Sequence, residues 1–190
     1  DWAQQKFELF RRKRCGSESE PTCGADLSHL RITAADYRIA GRDEAGGVGM
    51  ENHMTVTFDA ISENEAFARM VVSAFLVGAN PMVSELDDVK TAVSEAVTNA
   101  IIHGYEEKVG YVLMRCILKE KQLTVCVQDF GHGIADIARA REPFYTTKPE
   151  LERSGMGFAF METFMDHVEV TSEIGVGTTV TMTKQLQDQT

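Results

Sequence analysis

Between Ser84 and Gly104 the apolar residues Leu86, Val89, Val93, Val97, Ala100 and Ile101 recur at steps of three and four. That period predicts an amphipathic helix with one packed face. Ser84 suits its N-cap, Asp87 sits where a capping-box acid belongs, and Gly104 is a natural stop. Upstream, "SENEAFARMVVSAFLVG" predicts a second helix, with Ser62 and Glu65 as its capping box. Its expected buried stripe is Phe67, Met70, Val71, Ala74 and Phe75, and Gly78 is its expected end. Alternation takes over at Met54, Val56 and Phe58, the signature of a strand. "YVLMRCILKEKQLTVCVQD" reads as two strands joined at Glu120-Lys121. In that register Leu118 opposes Leu123, Cys116 opposes Val125 and Met114 opposes Val127, which gives one apolar face. A short helical segment at 134–141 follows, then a helix from Gly157 to about Met165. The strands "VEVTSE" and "TTVTMTK", joined through "IGVG", close the pattern. Strands that arrive as hairpins imply a mixed, mostly antiparallel sheet, and the three long amphipathic helices fit on one face of it. The expected fold is a two-layer α/β sandwich.

The helix from Ser84 carries one anomaly, since Glu95 and Asn99 interrupt its apolar body one turn apart. Taken alone, the pair fits an exposed helix edge. It also fits chemistry: a carboxylate can accept a proton from an attacking hydroxyl, and an amide oxygen can face a hard cation.

Charge sharpens the division of the chain. Residues 1–49 hold eight basic and eight acidic residues, so the net charge of −10 belongs to residues 50–190, where eleven basic residues face twenty-one acidic ones. Such a balance argues against a nucleic-acid-binding face and allows a basic protein partner. Residues 1–49 show no sustained period and carry a basic knot, "RRKR" at 11–14, that reads as a solvated charge run. The codons for Ala45-Gly46-Gly47 can spell a ribosome-binding purine run just ahead of Met50, so this poorly structured extension is hypothesised to be a start-site artefact. Mass spectrometry of the native protein is then expected to find no peptide from residues 1–49; finding one removes the hypothesis. The functional domain is expected at 50–190. No apolar run approaches the roughly 18 residues that a membrane-spanning helix needs, and the expected location is cytoplasmic. Cys15, Cys23, Cys116 and Cys126 form no C-x-x-C pair and no zinc spacing, and the hairpin register sends Cys126 to the face opposite Cys116.

The remaining chemistry sits in glycine motifs. "DFGHG" at 129–133 invites comparison with the metal-binding signature of protein kinases, but the H-R-D loop, the Gly-rich loop with its V-A-I-K strand and the length for two lobes are missing. No P-loop occurs either. As D-x-G-x-G, Asp129, Gly131 and Gly133 leave a strand end where backbone can approach a ligand and a carboxylate can accept from an exocyclic amine; a tight turn reads equally well. Gly155-Met156-Gly157 opens a helix, which suits a phosphate or a flexible hinge.

Order along the chain decides between these alternatives. Glu95-x-x-x-Asn99, Asp129-x-Gly131-x-Gly133, Gly155-x-Gly157 and Gly177-Thr178-Thr179 follow one another as the boxes of the GHKL ATPase superfamily do. With "SEAVTNAIIHGYE" and "FYTTKPELERSGMGFAFMETFMD", residues from about Met50 to near Gln185 resemble the bacterial anti-sigma serine kinases, and most of all their sporulation branch, which acts on sigma F-type factors. The resemblance implies an ATP site. Asp129 would hold the adenine amine with Thr179 nearby, Asn99 would carry Mg²⁺, and Gly131, Gly133, Gly155 and Gly157 would bring backbone to the nucleotide. Residues 141–154 would form a lid with Thr146, Thr147, Lys148 and Arg153 as phosphate contacts. Glu95 would activate a serine on an anti-anti-sigma factor, and Arg69 would touch the sigma factor that a homodimer sequesters. His103 and His132, without a second ligand nearby in sequence, read as structural. Three rivals stand beside this reading: a general-stress relative, a binding module that uses ATP without transferring phosphate, and a histidine-kinase catalytic domain. Against the last, His29 stands alone before Met50 with no helical hairpin around it.

Overall fold

The computed structural model describes residues 51–105, 110–145 and 155–187, so the expected extension and most of the expected lid lie outside the described residues. The described residues fall in one compact unit, Arg38–Thr190. Chain order runs β1 (Glu51–Asp59), α1 (Glu63–Leu76), α2 (Val83–Asn99), β2 (Tyr111–Lys119), β3 (Gln122–Asp129), α3 (Ile137–Ala140), α4 (Gly157–Phe164), β4 (His167–Glu173) and β5 (Gly177–Gln185). The strands form one sheet in the order β1-β2-β3-β5-β4. Among the described residues all four pairings are antiparallel, in keeping with the expected mostly antiparallel sheet.

One parity of each central strand meets the helices. Met114, Cys116, Leu123, Val125 and Met182 are fully buried against Val72, Leu76, Val89, Val93 and Met161. This is the two-layer α/β sandwich. The β2–β3 hairpin has the expected register, Met114 opposite Val127, Cys116 opposite Val125 and Leu118 opposite Leu123. Its two-residue tip places Glu120 at φ 49° and Lys121 at φ 67°, the left-handed pair that matches the twist of the flanking strands. Lys121 Nζ anchors the tip to the Ala79 carbonyl at 3.1 Å. Cys126 pairs with Arg115 on the opposite face from Cys116, and both thiols are free. Burial pushes the Cys116 thiol up to about 12, so it behaves as a small apolar side chain.

Local expectations are corrected in three places: the packed face of α1, its two ends, and the start of α2. The fully buried stripe of α1 is Ala68, Val72 and Leu76; of the expected residues Val71 and Phe75 pack partly buried against the core, while Phe67 and Met70 remain 45% and 69% exposed. "AFARMVVSAFL" is apolar almost all the way round, so its period left the helix phase open, and the sheet selected a face offset from the expected one. Nor does Ser62 cap α1 through its side chain; Glu65 turns sideways to accept from Ser94 Oγ of α2 and to pair with Arg69 at 3.5 Å. The helix runs on through a 3₁₀ turn, Val77–Ala79, and ends at left-handed Asn80 rather than at Gly78. The third correction concerns α2, which begins at Val83, so Ser84 and Asp87 hold no capping role. Glu85 does that work. Its Oε2 accepts from Met82 N and its Oε1 from Gln187 N, both at 2.8 Å, which ties the helix start to the chain beyond β5. Asp87 instead pairs with Lys90 at 2.9 Å.

At its other end α2 widens into a π turn, Ala100–Gly104. Such turns add a residue to the helical register and recur at functional sites. Here the turn delivers Gly104 to the end of β3.

Candidate nucleotide site

Asp129 ends β3 with only 4% of its surface exposed. Its Oδ1 accepts from Gly131 N at 2.9 Å. Burial raises its pKa above the ordinary carboxylate range, against the pull of the Gly131 and Thr178 amides and of nearby His132. Two of the next three residues are held by the end of the π turn and the residue that follows it. Phe130 N donates to Tyr105 Oη at 2.8 Å, and His132 N donates to the Gly104 carbonyl at 3.0 Å. Gly131 passes so close that a Cβ there would stand 1.8 Å from Gly104 O, so only glycine fits.

Across from this loop, α2 presents Glu95 and Asn99 to the first residue of α4. A Cβ on Gly157 would stand 3.1 Å from Glu95 Oε2 and 3.2 and 3.3 Å from the Asn99 amide nitrogen and oxygen. Glycine therefore keeps open the space above both polar groups, toward which the helix start turns the positive end of its dipole. Between the two walls lies a cavity of about 530 Å³ bounded by α2, the π turn, the Asp129–Gly133 loop, α3 and the start of α4. That volume falls within the range of small-molecule and cofactor pockets.

The structure brings most of the expected residues together. Asn99, Asp129, Gly133, Gly155 and Gly157 line the cavity, and Glu95 stands beside Asn99 at its edge. Gly131 does not line it and serves the loop's packing on Gly104. Thr179 is displaced by strand parity: Thr178 lines the cavity, and Thr179 points to the opposite face of β5. Thr146, Thr147, Lys148 and Arg153 lie outside the described residues. Arg69 stands apart from the cavity on α1, half exposed and paired with Glu65.

Several wall residues escaped sequence reasoning. His103 and His132, read as structural, both line the cavity. Arg139 and Arg141 add positive charge to the wall. Arg139 lies 4.9 Å over the Tyr145 ring, and Arg141 donates to Glu162 Oε1 from Nε at 2.9 Å and Nη2 at 2.6 Å. Adjacency to a glycine box was the available signal for His132. For the arginines, on and just after a one-turn helix, the sequence offered none.

A buried carboxylate at a strand end, an acid and amide on one helix and a glycine-opened helix facing them make a nucleotide pocket without a P-loop. The model of the histidine kinase-like ATPase domain matches residues 58–184. The chain belongs to the histidine kinase-like ATPase family. An anti-sigma F factor of Oceanobacillus iheyensis is 53% identical over 138 residues, covering 72% of this chain and 94% of its own length. One of Clostridium acetobutylicum is 54% identical over 136 residues, covering 72% of this chain and 95% of its own. Within the ATPase family the chain thus belongs with the anti-sigma F factors. A crystal structure of RsbU and RsbW domains from Mycobacterium tuberculosis matches with a TM-score of 0.55 at 22% identity. That match covers 73% of this chain and 33% of the solved one, and it speaks to the fold. As a member of the ATPase family, the domain binds adenine nucleotide. No helix among the described residues is long and apolar enough to cross a membrane.

Acid should weaken that binding. An exocyclic amine meeting this carboxylate would lose its acceptor on protonation, so affinity is expected to fall as pH drops through the raised pKa, at higher pH than for an ordinary aspartate. ATP uptake is accordingly expected to release protons in mildly acidic buffer, measurable by calorimetry in buffers of different ionisation heat. Stability without nucleotide runs the other way for this group. The folded state holds the proton more tightly, so Asp129 favours folding most below its unfolded pKa and progressively less as pH rises through the folded value.

Proposed function

We propose that this protein is an anti-sigma factor that sequesters a sigma F-type sigma factor and, with ATP and Mg²⁺, phosphorylates a serine of its anti-anti-sigma factor. The observation that carries the catalytic half is the placement of Glu95 and Asn99 side by side against Gly157, across one cavity from Asp129. Asp129 receives the adenine amine, with the Thr178 side of β5 beside it. The start of α4 would face the phosphates with the positive end of its dipole. Asn99 fits Mg²⁺, a hard cation that accepts few protein oxygens and keeps waters and phosphate oxygens for the rest of its shell. An ion held by Asn99 would supply positive charge to offset that of the phosphates.

In the transfer step the serine Oγ forms a bond to the γ-phosphorus, the bond from that phosphorus to the β–γ bridging oxygen breaks, and ADP leaves. The serine proton passes to the Glu95 carboxylate, which needs only to reach the hydroxyl in the assembled complex. A module that binds ATP without transferring phosphate has no need of an acid at position 95. Thr146, Thr147, Lys148 and Arg153 complete the phosphate contacts in this reading, as a lid over the site.

The sequestering half rests on the relatives and on α1. Arg69 lies between Phe67 and Met70, large apolar side chains that α1 keeps in water. An exposed arginine flanked by apolar surface is the composition of a protein-binding hot spot. A homodimer would present two such helices to one sigma factor. The test incubates the protein with labelled ATP, Mg²⁺ and the anti-anti-sigma protein, and separately measures capture of the sigma factor by the parent and by Arg69→Ala. Label on serine and at least tenfold weaker capture by Arg69→Ala are expected. Absence of phosphoserine sinks the kinase assignment, and unchanged capture removes Arg69 from the interface.

A further inference from the structure

Three consecutive backbone amides follow the Asp129 carboxylate, and each has a different partner. Phe130 N donates to Tyr105 Oη at 2.8 Å, Gly131 N to Asp129 Oδ1 at 2.9 Å, and His132 N to Gly104 O at 3.0 Å. Two of those partners come from adjacent residues at the end of the π turn. The Tyr105 hydroxyl also donates to the Tyr111 carbonyl at 2.6 Å, so one oxygen bridges β2 and the turn after β3. A phenol has one proton to give and lone pairs to accept with, and this one uses both roles. Its ring occupies the space beside Gly110, where a Cβ would stand 2.1 Å from Cε1. Phe130 closes the arrangement by packing on the Tyr111 ring, 4.8 Å between centroids.

The peptide that Tyr105 grips is the one joining Asp129 to Phe130. Holding its N–H fixes the orientation of that peptide plane, and Gly131 N then holds the carboxylate itself. We propose that Tyr105 is a positioning residue for base recognition: its hydroxyl sets the direction in which the Asp129 carboxylate meets the exocyclic amine of adenine. Tyr105 does not line the cavity, so its action on the base passes through Asp129. The proposal rests on the assignment of Asp129 as the acceptor for that amine.

The experiment compares ATP with inosine triphosphate, which carries a carbonyl oxygen where ATP carries the amine, using the full chain and its Tyr105→Phe variant with Mg²⁺. Wild type is expected to prefer ATP by about 100-fold, because a site built to accept a hydrogen bond rejects an analogue that lacks the donor. Tyr105→Phe is expected to narrow that preference by about tenfold, through weaker ATP binding with inosine triphosphate binding nearly unchanged. If the variant weakens both nucleotides equally, or leaves the preference intact, Tyr105 supports only the fold and the proposal fails. If wild type shows no preference, the Asp129 assignment fails instead. Gly110→Ala serves as the second variant should the phenylalanine protein not fold. It crowds the ring while retaining the hydroxyl, and the same selective loss is expected from it.

Discussion

Glu95→Gln is expected to reduce serine phosphorylation by about 10²–10⁴-fold while Mg²⁺-ATP affinity stays within about threefold. The argument is geometric. Glu95 stands one helical turn before Asn99, and its Oε2 faces the open space that Gly157 leaves. Glutamine keeps the size and much of the hydrogen bonding but cannot take the serine proton. In the proposed site the nucleotide would be held elsewhere, by Asp129 and by the backbone at Gly133, Gly155 and Gly157, so binding is expected to survive. Single-turnover phosphorylation with saturating ATP, paired with calorimetry, separates the two effects. Equal transfer by both proteins would take Glu95 out of the reaction.

Gly131→Ala is expected to lower ATP affinity at least about 100-fold and to destabilise the fold by about 1–3 kcal/mol, as overpacking against rigid backbone does. A methyl group there would stand 1.8 Å from the Gly104 carbonyl oxygen and 2.3 Å from its carbon. Neither side can yield cheaply. Gly104 accepts from His132 N, and a Cβ on Gly104 would itself lie 3.0 Å from the Asp129 carboxyl. Relieving the clash therefore drags the π turn away from the loop and rotates the carboxylate from its place. Urea unfolding and nucleotide titration of the same preparation test both halves. Parental affinity in a stable Gly131→Ala protein would mean that the loop's seat on Gly104 is irrelevant to binding.

Local signals carried the sheet well, and they marked several of the residues that the fold gathers around one cavity. The β2–β3 register was readable because alternation is strict on both sides of a two-residue tip, leaving one pairing that buries Met114, Cys116 and Leu118 together. Glu95 and Asn99 were conspicuous as polar breaks in a clear helical period. Where the outcome depended on distant partners, the sequence was mute. Glu85 outcompetes Ser84 at the start of α2 because its second oxygen has Gln187 N to hold, 102 residues away. The choice of Thr178 over Thr179 follows from how β5 pairs with β3, a contact between segments far apart in the chain. No local pattern marks Tyr105, whose hydroxyl accepts from Phe130 N, 25 residues further along the chain. The phase of α1 failed for the opposite reason, an excess of apolar candidates rather than a lack of them.

That excess has a consequence for the protein's life outside a complex. Phe67 and Met70, held in water beside Arg69, make the free molecule the form most inclined to clump or to be recognised by chaperones. Once a second polypeptide shelters that helix, the inclination disappears. If the proposed sigma factor covers α1, the amount of protein that stays dissolved is expected to follow the supply of that partner.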